Sequence, residues 1–151
     1  MNVLTLLRQD HATLRSFFSQ FDRTSKTAYD QRSELFLQIR RDLQIHSRAE
    51  EEIFYPAIKA MNSEGQRLAS EAISQHKNID QLLTQLSRLK SSDRNFDETF
   101  ETLIDTVDQH IEVEEEEILR FAEKNCSEQQ LEELGRQTED QKRIIDDRLA
   151  A

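Results

Sequence analysis

Turn chemistry is almost missing from this chain, which has two glycines and one proline in 151 residues. Sheet architectures need many tight turns, so this shortage disfavours them and leaves helices joined by short polar links. Tryptophan is absent, and 36% hydrophobic residues accompany 33% charged ones. Rich in helix formers, such a composition points to an all-α fold. At this length one domain spanning residues 1–151 is expected.

Basic residues are the second shortage: 20 Lys and Arg stand against 30 Asp and Glu, a formal net charge of −10. Phosphate backbones and anionic lipid both require clustered cations, so neither nucleic acid nor a membrane is an expected partner. The opening "MNVLTLLRQDHATL" has no basic leader and meets a charge by Arg8, so it reads as neither a signal peptide nor a spanning helix. A cytoplasmic protein is expected. Cysteine is the third shortage. A lone Cys126 permits no internal disulfide and no thiolate metal cluster, and reads as a partly buried residue near a helix junction.

What the chain does have is helical periodicity. Polar stretches at residues 23–30, 62–66, 91–97 and 125–130 separate apolar runs, and Ser63 with Gln66 and Ser127 with Gln130 have capping-box spacing. The expected architecture is an up-down-up-down antiparallel four-helix bundle over about residues 2–124, with a short C-terminal fifth helix over about residues 127–150.

Steps of three and four give each long helix one seam. The first runs Leu4, Leu7, His11, Leu14, Phe18, Phe21, and the second Leu35, Ile39, Leu43, His46, Glu50, Ile53, Ala57. The third is Ala69, Ala72, His76, Ile79, Leu83, Leu86, and the fourth Phe96, Phe100, Leu103, Val107, His110, Glu114, Ile118, Phe121. Every histidine of the protein interrupts an apolar seam, as do Glu50 and Glu114. In an antiparallel bundle, His11, Glu50, His76 and Glu114 fall roughly 14 to 18 Å from one end, with His46 and His110 about one turn deeper. Six polar side chains are thus expected in one layer. A weak internal repeat supports this, since each half supplies one helix with a lone histidine and one with His-x-x-x-Glu.

Two buried carboxylates near each other are costly unless something positive joins them, and no Lys or Arg occupies a seam at this depth. Four imidazoles and two carboxylates on inward faces form a donor set for a pair of metal ions, with carboxylates able to bridge. Without thiolate the set suits iron or manganese, with zinc possible. The alternatives are a metal-free network in which the glutamates pair with the histidines, or solvated acidic faces. Glu51, Glu52, Glu115 and Glu116 lie off the seam and read as surface. Asp80, Glu117, Tyr29 and Tyr55 are lesser candidates near the layer, and Pro56 should kink or end its helix just beyond Glu50. No Ser-His-Asp arrangement or Gly-rich phosphate loop is present.

The sequence "HSRAEEEIFYP" at 46–56, "QHKNID" around His76 and "HIEVEEEEIL" at 110–119, preceded by His11, resembles the hemerythrin-like, or HHE cation-binding, family over about residues 5–125. The resemblance implies two iron ions held by His11, His46, Glu50, His76, His110 and Glu114. Oxygen-carrying hemerythrins have a further histidine where this chain has Ala72, and aspartate in place of Glu114. That departure leaves a coordination position open and shifts the expectation from oxygen storage to binding or reaction with a small diatomic or peroxide. Two functions remain open: a di-iron oxidoreductase acting on peroxide, in a catalase-like cycle, and a metal- or redox-dependent sensor without turnover. Oligomeric state is not legible.

Overall fold

Asn2 opens the first helix by accepting a hydrogen bond from the Thr5 amide at 2.9 Å. A computed structural model describes all 151 residues. It is entirely helical: α1 (Val3–Asp22), α2 (Tyr29–Ala49), a π-helical turn (Glu50–Phe54), α3 (Tyr55–Lys59), α4 (Ser63–Ser87), α5 (Arg94–Val113), a second π-helical turn (Glu114–Ile118), α6 (Leu119–Asn125) and α7 (Glu128–Ala150). No helix is long and apolar enough to cross a membrane.

Two local expectations need correction. Asn62, not Ser63, caps α4, because its side chain reaches the Gly65 amide at 2.9 Å. The reciprocal box does form at Ser127 and Gln130. The C-terminal helix is not short. With 23 residues α7 outruns the 20 of α1, and it lies against α1, α2 and the first π turn. Ile145 seats it on Ile45 and Ala49.

Both glycines sit inside helices at close approaches rather than in turns. A Cβ on Gly65 would lie 2.2 Å from the Ile58 carbonyl oxygen, and one on Gly135 would lie 2.1 Å from that of Met1. Their absent side chains let α3 and α4, and α7 and the N-terminus, touch backbone to backbone.

The π turns alter the second seam. Tyr55 N–H donates to Glu50 O and Leu119 N–H to Glu114 O, five residues back instead of four. The extra residue advances the buried face by one position, so Phe54 and Ile58 are buried where Ile53 and Ala57 were expected. Near the start of the same helix Phe36 is buried and Leu35 only half-buried. The seams of α1 and α4 are buried at every expected position, as is the fourth seam through α5 and α6.

Beside the small cluster of Ile45, Ala49 and Ile145, apolar burial divides into two large cores. One gathers Leu14, Phe18, Phe21, Leu43, Ile79, Phe100 and Val107 with their neighbours; Phe21 stacks on Phe100 at 3.8 Å between centroids. The other gathers Leu4, Leu7, Phe54, Ala69, Ala72, Ile118 and Phe121 with theirs. In sequence every histidine falls between members of the two, so the polar layer lies where the cores meet.

Candidate metal centre

The six seam-breaking residues, His11, His46, Glu50, His76, His110 and Glu114, are all buried and come together. They form two groups of four, His11–His46–Glu50–Glu114 and Glu50–His76–His110–Glu114, each with its donor atoms within 4.8 Å of one another. The groups share both glutamates. Glu50 Oε1 lies 3.1 Å from His46 Nε2 on its own helical rod and 3.3 Å from His76 Nε2 on α4. Glu114 Oε2 lies 2.9 Å from His110 Nε2, and its Oε1 lies 4.0 Å from His11 Nε2. Each carboxylate therefore spans from one histidine pair to the other.

Most of these atoms face inward without a hydrogen bond. Seven buried side-chain nitrogens and oxygens in the chain lack a partner, and five are inward-facing atoms of this cluster: His11 Nε2, His46 Nε2, both Glu50 oxygens and Glu114 Oε1; His76 Nδ1, on the outer side of its ring, is a sixth. The approach of His46 Nε2 to Glu50 Oε1 is close but not aligned as a hydrogen bond. An unsatisfied buried polar atom costs about 1–3 kcal/mol, so concentrating so many at one point is unfavourable for protein groups alone. A cation shared by the donors relieves that cost, and the nitrogen and oxygen donor set fits a divalent or trivalent first-row metal.

Outside the cluster the imidazoles are gripped by their other nitrogen. His11 Nδ1 bonds Glu115 Oε2 at 2.6 Å, His46 Nδ1 bonds Asp10 Oδ2 at 2.8 Å, and His110 Nδ1 bonds Gln75 Oε1 at 2.5 Å. His76 Nδ1 has Glu51 Oε2 only at 3.4 Å. Glu51 and Glu115 are thus not simple surface groups, as the off-seam position suggested; both are half-buried and reach histidines of the cluster. Glu52 and Glu116 are exposed as expected, Glu52 being bound by Gln141 and Arg148 of α7. Asp10 accepts from Lys142 Nζ at 2.6 Å through its second oxygen.

Tyr55 enters the centre from the rotated face beyond the first π turn. Its hydroxyl donates to Glu114 Oε2 at 3.0 Å and lies 3.3 Å from His76 Nε2. Asp80, Glu117 and Tyr29 are exposed and outside both groups. Cys126 is half-buried at the end of α6 with its sulfur 3.9 Å from that of Met61, and burial pushes its thiol up.

Charges within the cluster act on one another. Burial alone would lower His46, but Glu50 and Asp10 outweigh it and hold its pKa well above the ordinary value. For His76 burial again lowers, and Glu50 and Glu51 overcome it to reach about 9. His11 is lowered, by burial and by the neighbouring His46 charge. Burial would raise Glu50, yet the His46 charge holds it well below the usual carboxylate range. Tyr55 is pushed well up by burial and by the two glutamates, so its hydroxyl keeps its proton.

Residues 2–122 match the family model described as the hemerythrin HHE cation binding domain. A protein from Nostoc sp. PCC 7120 named "DNA nickase" is 28% identical over 149 residues, 99% of this chain but only 41% of that protein. An uncharacterised hemerythrin-like protein of Schizosaccharomyces pombe is 26% identical over 91% of this chain and 67% of its own length. Among solved structures, a hemerythrin HHE cation binding domain-containing protein from Mycobacterium kansasii superposes with a TM-score of 0.86 at 20% identity, covering 97% of this chain and 88% of that one.

Proposed function

This chain belongs to the hemerythrin HHE cation-binding family, and from that premise we propose that it is a non-haem di-iron protein that binds or reacts with a small oxidant: dioxygen, hydrogen peroxide or nitric oxide. The observation that carries the reading is the pair of buried tetrads sharing Glu50 and Glu114. His11 and His46 would hold one ion, His76 and His110 the other, and the two glutamates both. Helices α1, α2, α4 and α5, in up-down-up-down order, would each contribute one histidine. The pair of ions would supply one-electron redox chemistry; manganese would serve similarly, whereas zinc would supply only Lewis acidity.

The protein's own groups prepare the site for a small molecule. Two apolar cores close it above and below, which excludes bulky substrates and bulk water. Ala72 is buried in the apolar core where oxygen carriers have another histidine, so the shell has one imidazole fewer than theirs. That would favour reaction with a small oxidant over reversible storage. Tyr55 donates its hydroxyl proton to Glu114 Oε2 and lies beside His76 Nε2, placing a hydroxyl donor in an otherwise acceptor-rich cluster. In the catalase-like form, hydrogen peroxide is the substrate.

More than half of the Nostoc protein lies outside the match, and the net charge of −10 opposes a phosphate backbone, so the oxidant reading is preferred to nucleic-acid chemistry. A cytosolic setting suits the lone thiol of Cys126. The test is to load iron without oxygen, add hydrogen peroxide and follow oxygen release. Release well above that of the same iron free in solution supports the proposal, and release no faster than free iron contradicts it.

A further inference from the structure

The two histidine pairs are related by the internal repeat, yet their outer partners are not alike. Asp10 directly precedes His11 and Gln75 directly precedes His76, and each reaches across to the histidine of the next long helix. Glu51 follows Glu50 and Glu115 follows Glu114, and each reaches the lone histidine of the other half. The same four positions thus serve both halves, with different chemistry in each.

Around His11 and His46 the outer groups are two carboxylates, Glu115 at 2.6 Å and Asp10 at 2.8 Å. Lys142 from α7 fixes the Asp10 carboxylate through its other oxygen at 2.6 Å. Around His76 and His110 the outer groups are a neutral amide, Gln75, at 2.5 Å, and a carboxylate, Glu51, at 3.4 Å that makes no aligned hydrogen bond. A carboxylate accepting the outer N–H of an imidazole raises the basicity of its inner nitrogen and fixes its orientation, and such partners typically contribute about 10- to 100-fold in metal affinity. An amide orients the ring but carries no charge to strengthen it.

We infer that the centre is divided into a tight subsite at His11 and His46 and a looser one at His76 and His110, with Asp10 and Gln75 as the positioning residues that set the difference. The inference rests on the dinuclear reading above. The tight subsite fills first and retains its ion, and the looser one exchanges. α7 takes part through Lys142, which ties the far end of the chain to the tight pair.

Two reciprocal substitutions test it. Asp10→Asn keeps an acceptor of the same shape and removes the charge, giving the tight subsite the kind of partner the loose one has. Gln75→Glu does the reverse. The measurement is an anaerobic calorimetric titration of the metal-free 151-residue chain with ferrous iron, with thermal melts to show that each variant is folded. The parent is expected to bind in two steps separated by about tenfold or more. Asp10→Asn should weaken the first step about tenfold and spare the second; Gln75→Glu should tighten the second and spare the first. Two equal steps in the parent overturn the division, as does an unchanged gap in the folded variants. If Asp10→Asn does not fold, Gln75→Glu alone decides. A folded parent that takes up no iron defeats the metal reading itself and the division with it, whereas equal binding at both subsites defeats only the division.

Discussion

His76 Nε2 and His110 Nε2 face each other at 3.1 Å in the buried centre. His110 donates its other proton to Gln75, so in the neutral ring its inner nitrogen presents a bare lone pair. A proton on His76 Nε2 makes this contact a hydrogen bond that His110 accepts; without that proton the two nitrogens repel unless a metal ion lies between them. His11 and His46, with ring centroids 5.0 Å apart, repeat the arrangement on the other side of the glutamates. The cluster is built for positive charge, and the protein chooses between protons and metal.

That choice sets the pH dependence. His76 titrates at 6.5 unfolded and about 9 in the metal-free fold, burial being outweighed by Glu50 and Glu51. A raised folded-state pKa stabilises fully below 6.5 and loses that stabilisation as pH rises through 9. Metal ligation needs neutral imidazoles, so its stabilisation grows over the same interval. Melting of the metal-free form should therefore fall between pH 6.5 and 9 while the gap to the loaded form widens. A metal-free melting temperature that climbs across this window would count against the protonated cluster.

Shared and unshared ligands should differ in stoichiometry. Glu50→Ala removes a donor from both tetrads, and His110→Ala from one. Iron-to-protein ratios after loading and desalting should fall for both ions with Glu50→Ala and for one ion with His110→Ala. Equal losses in the two variants would show that the glutamate does not bridge.

Tyr55→Phe deletes the hydroxyl that satisfies Glu114 Oε2 while keeping the ring packed on Phe54 and His76. The metal-free protein should lose about 1–3 kcal/mol in denaturant unfolding. Iron stoichiometry should be unchanged, because the hydroxyl is engaged as a donor to Glu114 Oε2. Loss of an ion in this variant would make Tyr55 a ligand rather than a donor.

Gly65→Ala sets two effects against each other. Helix propensity favours alanine by roughly 1 kcal/mol, but its methyl would meet the Ile58 carbonyl oxygen at 2.2 Å. Backbone cannot yield as a side chain does, so a net loss of about 1–3 kcal/mol is expected in chemical denaturation. A stabilised variant would mean that α3 and α4 separate easily.

How much of this was legible in the sequence follows from which interactions leave periodic marks. The seams of α1 and α4 could be read residue by residue because steps of three and four repeat without a break, and they placed His11 and His76 on the buried faces. The π turns could not. Pro56 stands near the first, but Leu119 and Arg120 follow the second and give no sign of a five-residue hydrogen bond. Ile53 and Ala57 therefore stand on the expected seam in place of Phe54 and Ile58, and the tyrosine's route into the centre was hidden. Glu51 and Glu115 were masked by the acidic runs in which they sit, and Asp10 and Gln75 lie off the apolar seams. The internal repeat was the available signal, since all four outer partners stand one residue from a seam-breaking His or Glu. For the C-terminal helix, the polar break and capping box gave its start but not the Lys142 contact with Asp10.

The central claim is that Glu50 and Glu114 join two metal subsites in one buried layer. Its most direct measurement is the metal content of the chain after anaerobic loading with ferrous iron and removal of excess, read beside Glu50→Ala with the folded state of both checked by circular dichroism. Two tightly held iron ions in the parent, lost together in the variant, are the predicted result. A folded parent that retains no iron, or a variant that retains both ions, would contradict it.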